Sequence, residues 1–520
     1  MLFGTNNALN FPLLSLIVFL PLIGAGLIAI LPKRHAGLQH ITGLFFSGLV
    51  LVLSILAFAN YDRGWANPLD RRAPAMRPPA FQLADPASPA AWLPGGVTFQ
   101  LAVDGISITL VLLTALLGFI ALLFSWKNVR LRTREYVALM LVLETGMLGV
   151  FTAMDLFLFY VFWEASLIPM YFLIGIWGGK RRIYATLKFV IYTMAGSALM
   201  LVAILATVKL SGSPSFNYLD LLRSPVIEGP AQMLLFAAFA LAFAVKVPLF
   251  PFHTWLPLAH VQAPTAGSVL LAGVLLKLGG YGLIRLAIPL FPDAAHAAMP
   301  YAFGLAIIGI WYGAWVAFAQ TDIKKLVAYS SVSHMGIVVA GIFSLNPQGM
   351  AGGSLQMINH GISTGALFLL VGMLYERAHT REIADFGGLW KTMPRFSALF
   401  LIVTFSSVGL PGTNGFVGEW LALLGTFRAN MLAGALAAFG VVLGAAYMLW
   451  LFQRVFFGPT SALSEKMQDL DGMEMLMLAP LILLIFWIGI YPETFLGPIQ
   501  ESATAWARLV TDAVVGVAVR

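Results

Sequence analysis

Long apolar stretches recur almost end to end along the chain. Each runs for about 18 to 25 residues, enough to cross a hydrocarbon core of about 30 Å as a helix. They predict about fourteen spans, beginning near residues 11, 39, 105, 136, 155, 185, 231, 266, 299, 326, 353, 397, 430 and 475. Strands of a membrane barrel would instead read as alternating segments of about ten residues. The expected fold class is therefore an all-α integral membrane protein.

Polar residues inside the spans repeat. "FVIYTMAGSALMLV" in the sixth span resembles "MINHGISTGALFLLV" in the eleventh, which sets Gly196 and Gly365 169 residues apart. Glu164 and His334 are separated by 170, and Lys246 and Glu419 by 173. An offset of five spans reverses the direction of the chain across the membrane, so the pattern predicts two inverted five-helix repeats, each with a broken helix. The expected divisions are 1–135 (three helices, with an outer loop near 61–100), 136–290 (first repeat), 299–458 (second repeat) and 459–520 (a last helix and tail). The tail after Pro498 is mixed in polarity and reads as an amphipathic helix lying along the interface.

Composition narrows the class. Sixty per cent of the 520 residues are hydrophobic and only 10% are charged, far from the quarter or so of soluble domains. With no cysteine the chain can ligate no iron–sulfur cluster and form no disulfide. No Gly-rich dinucleotide fingerprint, phosphate loop or metal-ligand spacing stands out. The net charge of +7 is explained by topology rather than by nucleic acid. Lys33/Arg34, Lys127 to Arg134, Lys180 to Arg182, Lys324/Lys325, Arg377 to Arg395 and Arg454 all follow odd-numbered spans, which puts them on the cytoplasmic side and both termini outside. Arg63, Arg71, Arg72 and Arg77, in the long outer loop, break the pattern. The first apolar run lacks a basic segment before it and is followed by "PKRH", as expected of a retained span.

Charges inside the spans are the candidate chemistry. Lys277, in "LLKLGG", lies about ten residues, or about 15 Å, from either end of its run, beyond the roughly 6 Å reach of a lysine side chain to the interface. Such a residue normally faces a bundle interior or a cavity and has a partner, so proton relay is the expectation and a static ion pair the alternative. Lys246 stands in "FAVKVPLFPFHTWLP", where Pro248, Pro251 and Pro257 must break the helix. Broken backbone at membrane depth is tolerated only inside protein or along a cavity. Glu164, in "FYVFWEASLIPM", is the expected coupled partner of Lys246. Glu419 follows "GLPGTNGFVG", a second break around Pro411. His334 and His360 can bridge what lies between, because imidazole changes charge near physiological pH. Glu144 and His253 are further candidates, each with a purely structural alternative. Lys188 and Arg285 lie nearer span ends and are expected to be interface anchors.

Four stretches, 155–178, 246–285, 322–335 and 358–377, resemble the antiporter-like membrane subunits of respiratory complex I, the proton-translocating NADH:quinone oxidoreductase. The resemblance runs from about the third span to the thirteenth. It implies fourteen transmembrane helices with two inverted five-helix repeats, and it assigns proton translocation to Glu164, Lys246, Lys277 and Glu419, with His334 between the half-channels. Sister subunits usually hold a lysine at the place of Glu419. It also implies that this chain carries no cofactor, that FMN, iron–sulfur clusters and quinone belong to partner subunits, and that the partners are other membrane-arm subunits, especially two sister antiporter-like ones. With no Arg/Ser-rich presequence, the expected location is a bacterial inner membrane. A subunit of a multi-subunit Na⁺/H⁺ antiporter or membrane-bound hydrogenase, and a non-pumping structural spacer, are the alternatives.

Overall fold

The computed structural model describes residues 12–61 and 83–518, so Phe11 and the arginines of the outer loop lie outside the described residues. Among the described residues, thirteen helices are long and apolar enough to span a membrane. Eleven precede the second break: α1 (Leu13–Ile30), α2 (Ala36–Ala59), α3 (Gly105–Asn128), α4 (Thr133–Thr152), α5 (Leu156–Trp177), α6 (Arg182–Ser211), α7 (Gly229–Lys246), α8 (Thr265–Leu290), α9 (Pro292–Phe318), α10 (Ile323–Phe343) and α11 (Pro347–Ala378). The predicted twelfth span is divided into α12 (Pro394–Val408) and α13 (Asn414–Ala429). After it come α14 (Met431–Phe456), α15 (Gly472–Ile490) and the C-terminal α16 (Glu493–Ala518). The chain is a multi-pass, all-α membrane protein.

Burial is graded across the bundle. Helix α8 and the stretch 349–374 of α11 are enclosed and α10 nearly so, while few residues of α2 and α15 are buried. Close packing at the centre depends on glycine: a Cβ on Gly361 would stand 2.8 Å from the Gly273 carbonyl oxygen, and one on Gly352 would stand 2.2 Å from the Ala422 nitrogen. This is how helices approach where lipid supplies no hydrophobic drive between them.

Both proline-rich breaks are real, and the sequence around each satisfies the freed backbone. At the first, Leu249 N donates to Ala244 O at 2.8 Å, Trp255 Nε1 donates to Val245 O at 2.9 Å, and a short helix, Leu256–Gln262, follows. At the second, Gly409 (φ +78°) and Gly412 (φ +90°) flank Pro411 in a left-handed conformation that a side chain would strain. Asn414 then ties the break to α11, accepting from Asn359 Nδ2 on its backbone oxygen at 2.7 Å.

Two elements depart from the sequence expectation. The outer segment ends in an antiparallel hairpin, β1 (Leu83–Leu93) and β2 (Val97–Val103), tied to the start of α5 where Thr98 N donates to Asp155 Oδ2 at 2.8 Å. Burial raises the Asp155 carboxyl above its ordinary value, and these hydrogen bonds oppose that rise. The C-terminal helix starts at Glu493, before Pro498, and packs onto protein rather than lying free. Ser502 Oγ accepts from Gly105 N at 2.9 Å, and Trp506 Nε1 donates to Asp104 Oδ2 at 3.1 Å.

On the opposite side, Lys127 pairs with Asp471, the capping-box residue of α15, and holds its carboxyl below the usual carboxylate range. A depressed folded value contributes stability above the unfolded value and loses it as pH falls through the folded one. Asp471→Asn is therefore expected to lower the melting temperature slightly at neutral pH and not at all in acid, in paired thermal scans. The effect is small because both side chains are about half exposed.

Candidate functional site

Lys277 is fully buried, and the local helix explains how its ammonium is held. Leu271–Leu275 forms a π turn, and the wider turn presents the Ala272 carbonyl oxygen to Lys277 Nζ as a hydrogen-bond acceptor. The same Nζ lies 2.7 Å from His360 Nδ1 on α11. The His360 and His334 rings meet edge to face, with centroids 5.9 Å apart. His334 Nδ1 lies 2.8 Å from Glu419 Oε1 on α13, and its Nε2 is 3.4 Å from the hydroxyl of Tyr447 on α14. Lys277, His360, His334 and Glu419 thus form one buried polar row through α8, α11, α10 and α13, each less than a tenth exposed.

Around Glu419 the row has support that sequence reasoning missed. Gln356 Nε2 donates to Glu419 Oε1 at 3.0 Å, and Asn359, Ser363, Ser406 and Asn414 hydrogen-bond among themselves below it. Asn359 and Asn414 stand within the repeated and broken stretches, so their polarity at membrane depth was the available signal. A Cβ on Gly418 would lie 2.6 Å from Gln356 Oε1 and 2.7 Å from Asn359 Nδ2. Gly418→Ala is expected to push α13 from α11 and displace Glu419, lowering the melting temperature by several degrees in thermal scans.

The pair expected between Glu164 and Lys246 is not a salt bridge. The Lys246 ammonium faces the Trp163 ring, 5.0 Å from its centroid, and among the described residues has no hydrogen-bond acceptor. Glu164, the next residue along α5, acts on it only through space. The coupling expected of the two residues is thus one of charge at a distance, with the indole face in direct contact with the ammonium. His253, in the break, packs between Phe250 and Tyr312 and has no hydrogen bond to the central row.

Glu144 also lies apart. Its Oε1 accepts from Ser47 Oγ at 3.0 Å, on the α2 side of α4. Arg285 is no interface anchor. It is 2% exposed and pairs with Asp104 at 3.0 Å, between the rings of Tyr218 and Trp506, because the C-terminal helix covers the end of α8. Among the described residues no group of three or more His, Asp or Glu is placed to hold a metal ion.

Comparison with known proteins places this row in a family. The family described as "NADH:quinone oxidoreductase/Mrp antiporter, TM" matches residues 153–444, which contain every member of the row. NADH-quinone oxidoreductase subunit M of Rhodobacter capsulatus is 46% identical, over 92% of this chain and 93% of its own length. The chain belongs to the subunit M/chain 4 family. Its plant relatives include NADH-ubiquinone oxidoreductase chain 4 of Arabidopsis thaliana, 41% identical over 94% of this chain and 96% of that protein. Among solved structures, a chain of respiratory complex I from Thermus thermophilus with bound NADH superposes with a TM-score of 0.85 at 37% identity, covering 96% of this chain and 99% of that one. A chain of the Mrp complex from Dietzia sp. shares the fold, with a TM-score of 0.81, at 20% identity over 98% of this chain and all of that one. The subunit M/chain 4 fold is therefore shared more widely than the sequence, and identity separates the complex I relatives from the antiporter.

Proposed function

We propose that this chain is a proton-translocating membrane-arm subunit of NADH:quinone oxidoreductase, moving protons through buried Glu, Lys and His side chains as partner subunits reduce quinone. The observation that carries the reading is the row from Lys277 through His360 and His334 to Glu419, hydrogen-bonded at each end and joined in the middle by the contact of the two imidazole rings, in a chain whose relatives are named as subunits of that enzyme. Lys246 takes a proton from the basic, cytoplasmic face beside the first break, with Glu164 modulating it through space. Lys277, His360 and His334 pass it across, and Glu419 releases it outward beside the second break. Residues 136–290 and 299–458 act as two inverted half-channels. The basic loops face the cytoplasm of a bacterium, both termini face the periplasm, and the two sister antiporter-like subunits are neighbours. FMN, iron–sulfur clusters and quinone reside in partner subunits, whose redox energy arrives here as an electrostatic or conformational shift.

The test is NADH-driven proton uptake into inverted membrane vesicles carrying Glu164→Gln, normalised to assembled complex and run beside NADH oxidation. Normal assembly with both rates collapsed is the expected result. Both rates unchanged would mean that Glu164 is a structural carboxylate, and the pumping assignment would lose its first step.

A further inference from the structure

Helix α2 carries a second line of buried polar groups, away from the central row. His40, Ser47, Ser54 and Tyr61 follow one another at intervals of seven, and all are buried. Residues seven apart fall on nearly the same side of a helix, so His40, Ser47 and Ser54 lie on one seam that faces α3 and α4, and Tyr61, just past the end of α2, follows it. Its cytoplasmic end is His40, whose ring lies tilted against that of Trp126 with centroids 5.6 Å apart. Its outer end is Tyr61, next to the Asp104, Arg285 and Ser502 cluster beneath α16. Halfway along, α4 inserts Glu144.

Glu144 is 1% exposed, and among the described residues Ser47 gives it its one hydrogen bond. Its second oxygen, Oε2, has no partner among the described residues, nor has Ser54 Oγ one position along the seam. The space is tailored to the carboxyl: α3 offers Gly118, where a Cβ would stand 2.8 Å from Oε1. From α2 and α3 it meets a hydroxyl and a glycine, and among the described residues no lysine, arginine or histidine pairs with it from any neighbouring helix. A lone carboxylate in such a place is strongly disfavoured, whereas a neutral carboxylic acid keeps the Ser47 bond on its carbonyl oxygen and forgoes only an acceptor for its O–H, a far smaller cost.

We propose that Glu144 is a second proton-binding site of this chain, a carboxylic acid held in the α2/α3/α4 seam off the central row, which exchanges its proton while the enzyme turns over. The ligand is a single proton, and Ser47 is the positioning residue that fixes the carbonyl oxygen so that the acid O–H lies on the unpartnered oxygen. The holding of the proton is independent of the function proposed above; its exchange with turnover rests on that function.

Infrared difference spectroscopy of the whole complex in membranes separates these statements. In the resting enzyme the carbonyl stretch of a protonated carboxyl is expected in the wild type and absent in Glu144→Gln. Ser47→Ala should move it to higher frequency, because it removes the hydrogen bond from the carbonyl oxygen. This second variant keeps the carboxyl, so it remains informative if Glu144→Gln does not assemble. After transfer to D₂O the band should shift to its deuterated position several-fold faster with NADH and quinone present than without. A resting spectrum that neither substitution alters would mean that Glu144 is ionised, and the proposal falls. A band that keeps its proton through many turnovers in D₂O would make Glu144 a static packing acid and overturn the exchange. If the complex pumps no protons at all while the resting band is present, the function above fails and the site stands.

Discussion

Lys277→Met is expected to abolish proton uptake and NADH-driven quinone reduction together, at least about tenfold in each, while assembled complex remains detectable. The thioether chain has nearly the volume of the lysine stem, so the glycine-lined packing around α8 is preserved. What disappears is the group that joins the Ala272 carbonyl to His360 and therefore begins the row toward Glu419. The structural penalty is that of leaving buried partners unsatisfied, about 1 to 3 kcal/mol, which a large bundle can absorb. The functional penalty is larger because no other basic side chain hydrogen-bonds to His360 among the described residues. Proton uptake by inverted vesicles, normalised to complex resolved on native gels, separates the two. Assembly at wild-type level with both rates intact would show that protons cross elsewhere.

Breaking the Asp104–Arg285 pair from one side is the second large effect, and it acts on stability. Both side chains are about 95% buried or more, and removing one partner of such a pair typically costs about 3 to 5 kcal/mol. Arg285→Met leaves the Asp104 carboxylate with Ser107 N and Trp506 Nε1 as donors and no countercharge. The expected result is a marked fall in assembled complex and in its melting temperature. Asp104→Asn combined with Arg285→Met should recover part of the loss, because neither charge is then stranded. A double-mutant cycle on melting temperature reads that coupling directly, and strict additivity would show that the pair contributes nothing as a pair.

The contrast between these two residues shows what the sequence made legible. Lys277 was readable because its distance from both ends of an apolar run is a matter of counting. Arg285 was misread by the same counting: it lies near the end of that run, and its burial is imposed by α16, some two hundred residues later in the chain. The breaks at Pro248, Pro251 and Pro411 were legible because proline removes a donor wherever it stands. The contacts that satisfy those breaks were not, since Trp255 Nε1 to Val245 O is a choice of rotamer. Strand β1 reads "LADPASPAAWL", against local strand propensity, and exists because β2 pairs with it and Ser15 N at the start of α1 donates to Asp85 Oδ2 at 3.0 Å, with irregular register at Asp85/Ala90. Likewise, His334 and His360 stand on different spans, and only packing brings their rings together.

The π turn beside Lys277 has a consequence for which changes of length this chain can accept. Each helical residue advances the direction of side chains by about 100°. Deleting one residue between Leu271 and Leu275 would let an ordinary ladder close through the turn, with every backbone donor satisfied and no apolar surface exposed. By the usual measures of helix quality the shortened span would be improved. It would also rotate Lys277 by about a quarter turn relative to the helix behind it, away from His360 and toward the side of the bundle. Loops between the spans can lengthen or shorten without touching the row, but the interior of α8 has a fixed residue count. Related chains aligned with this one should therefore carry their insertions and deletions in the loops and none between Leu271 and Leu275.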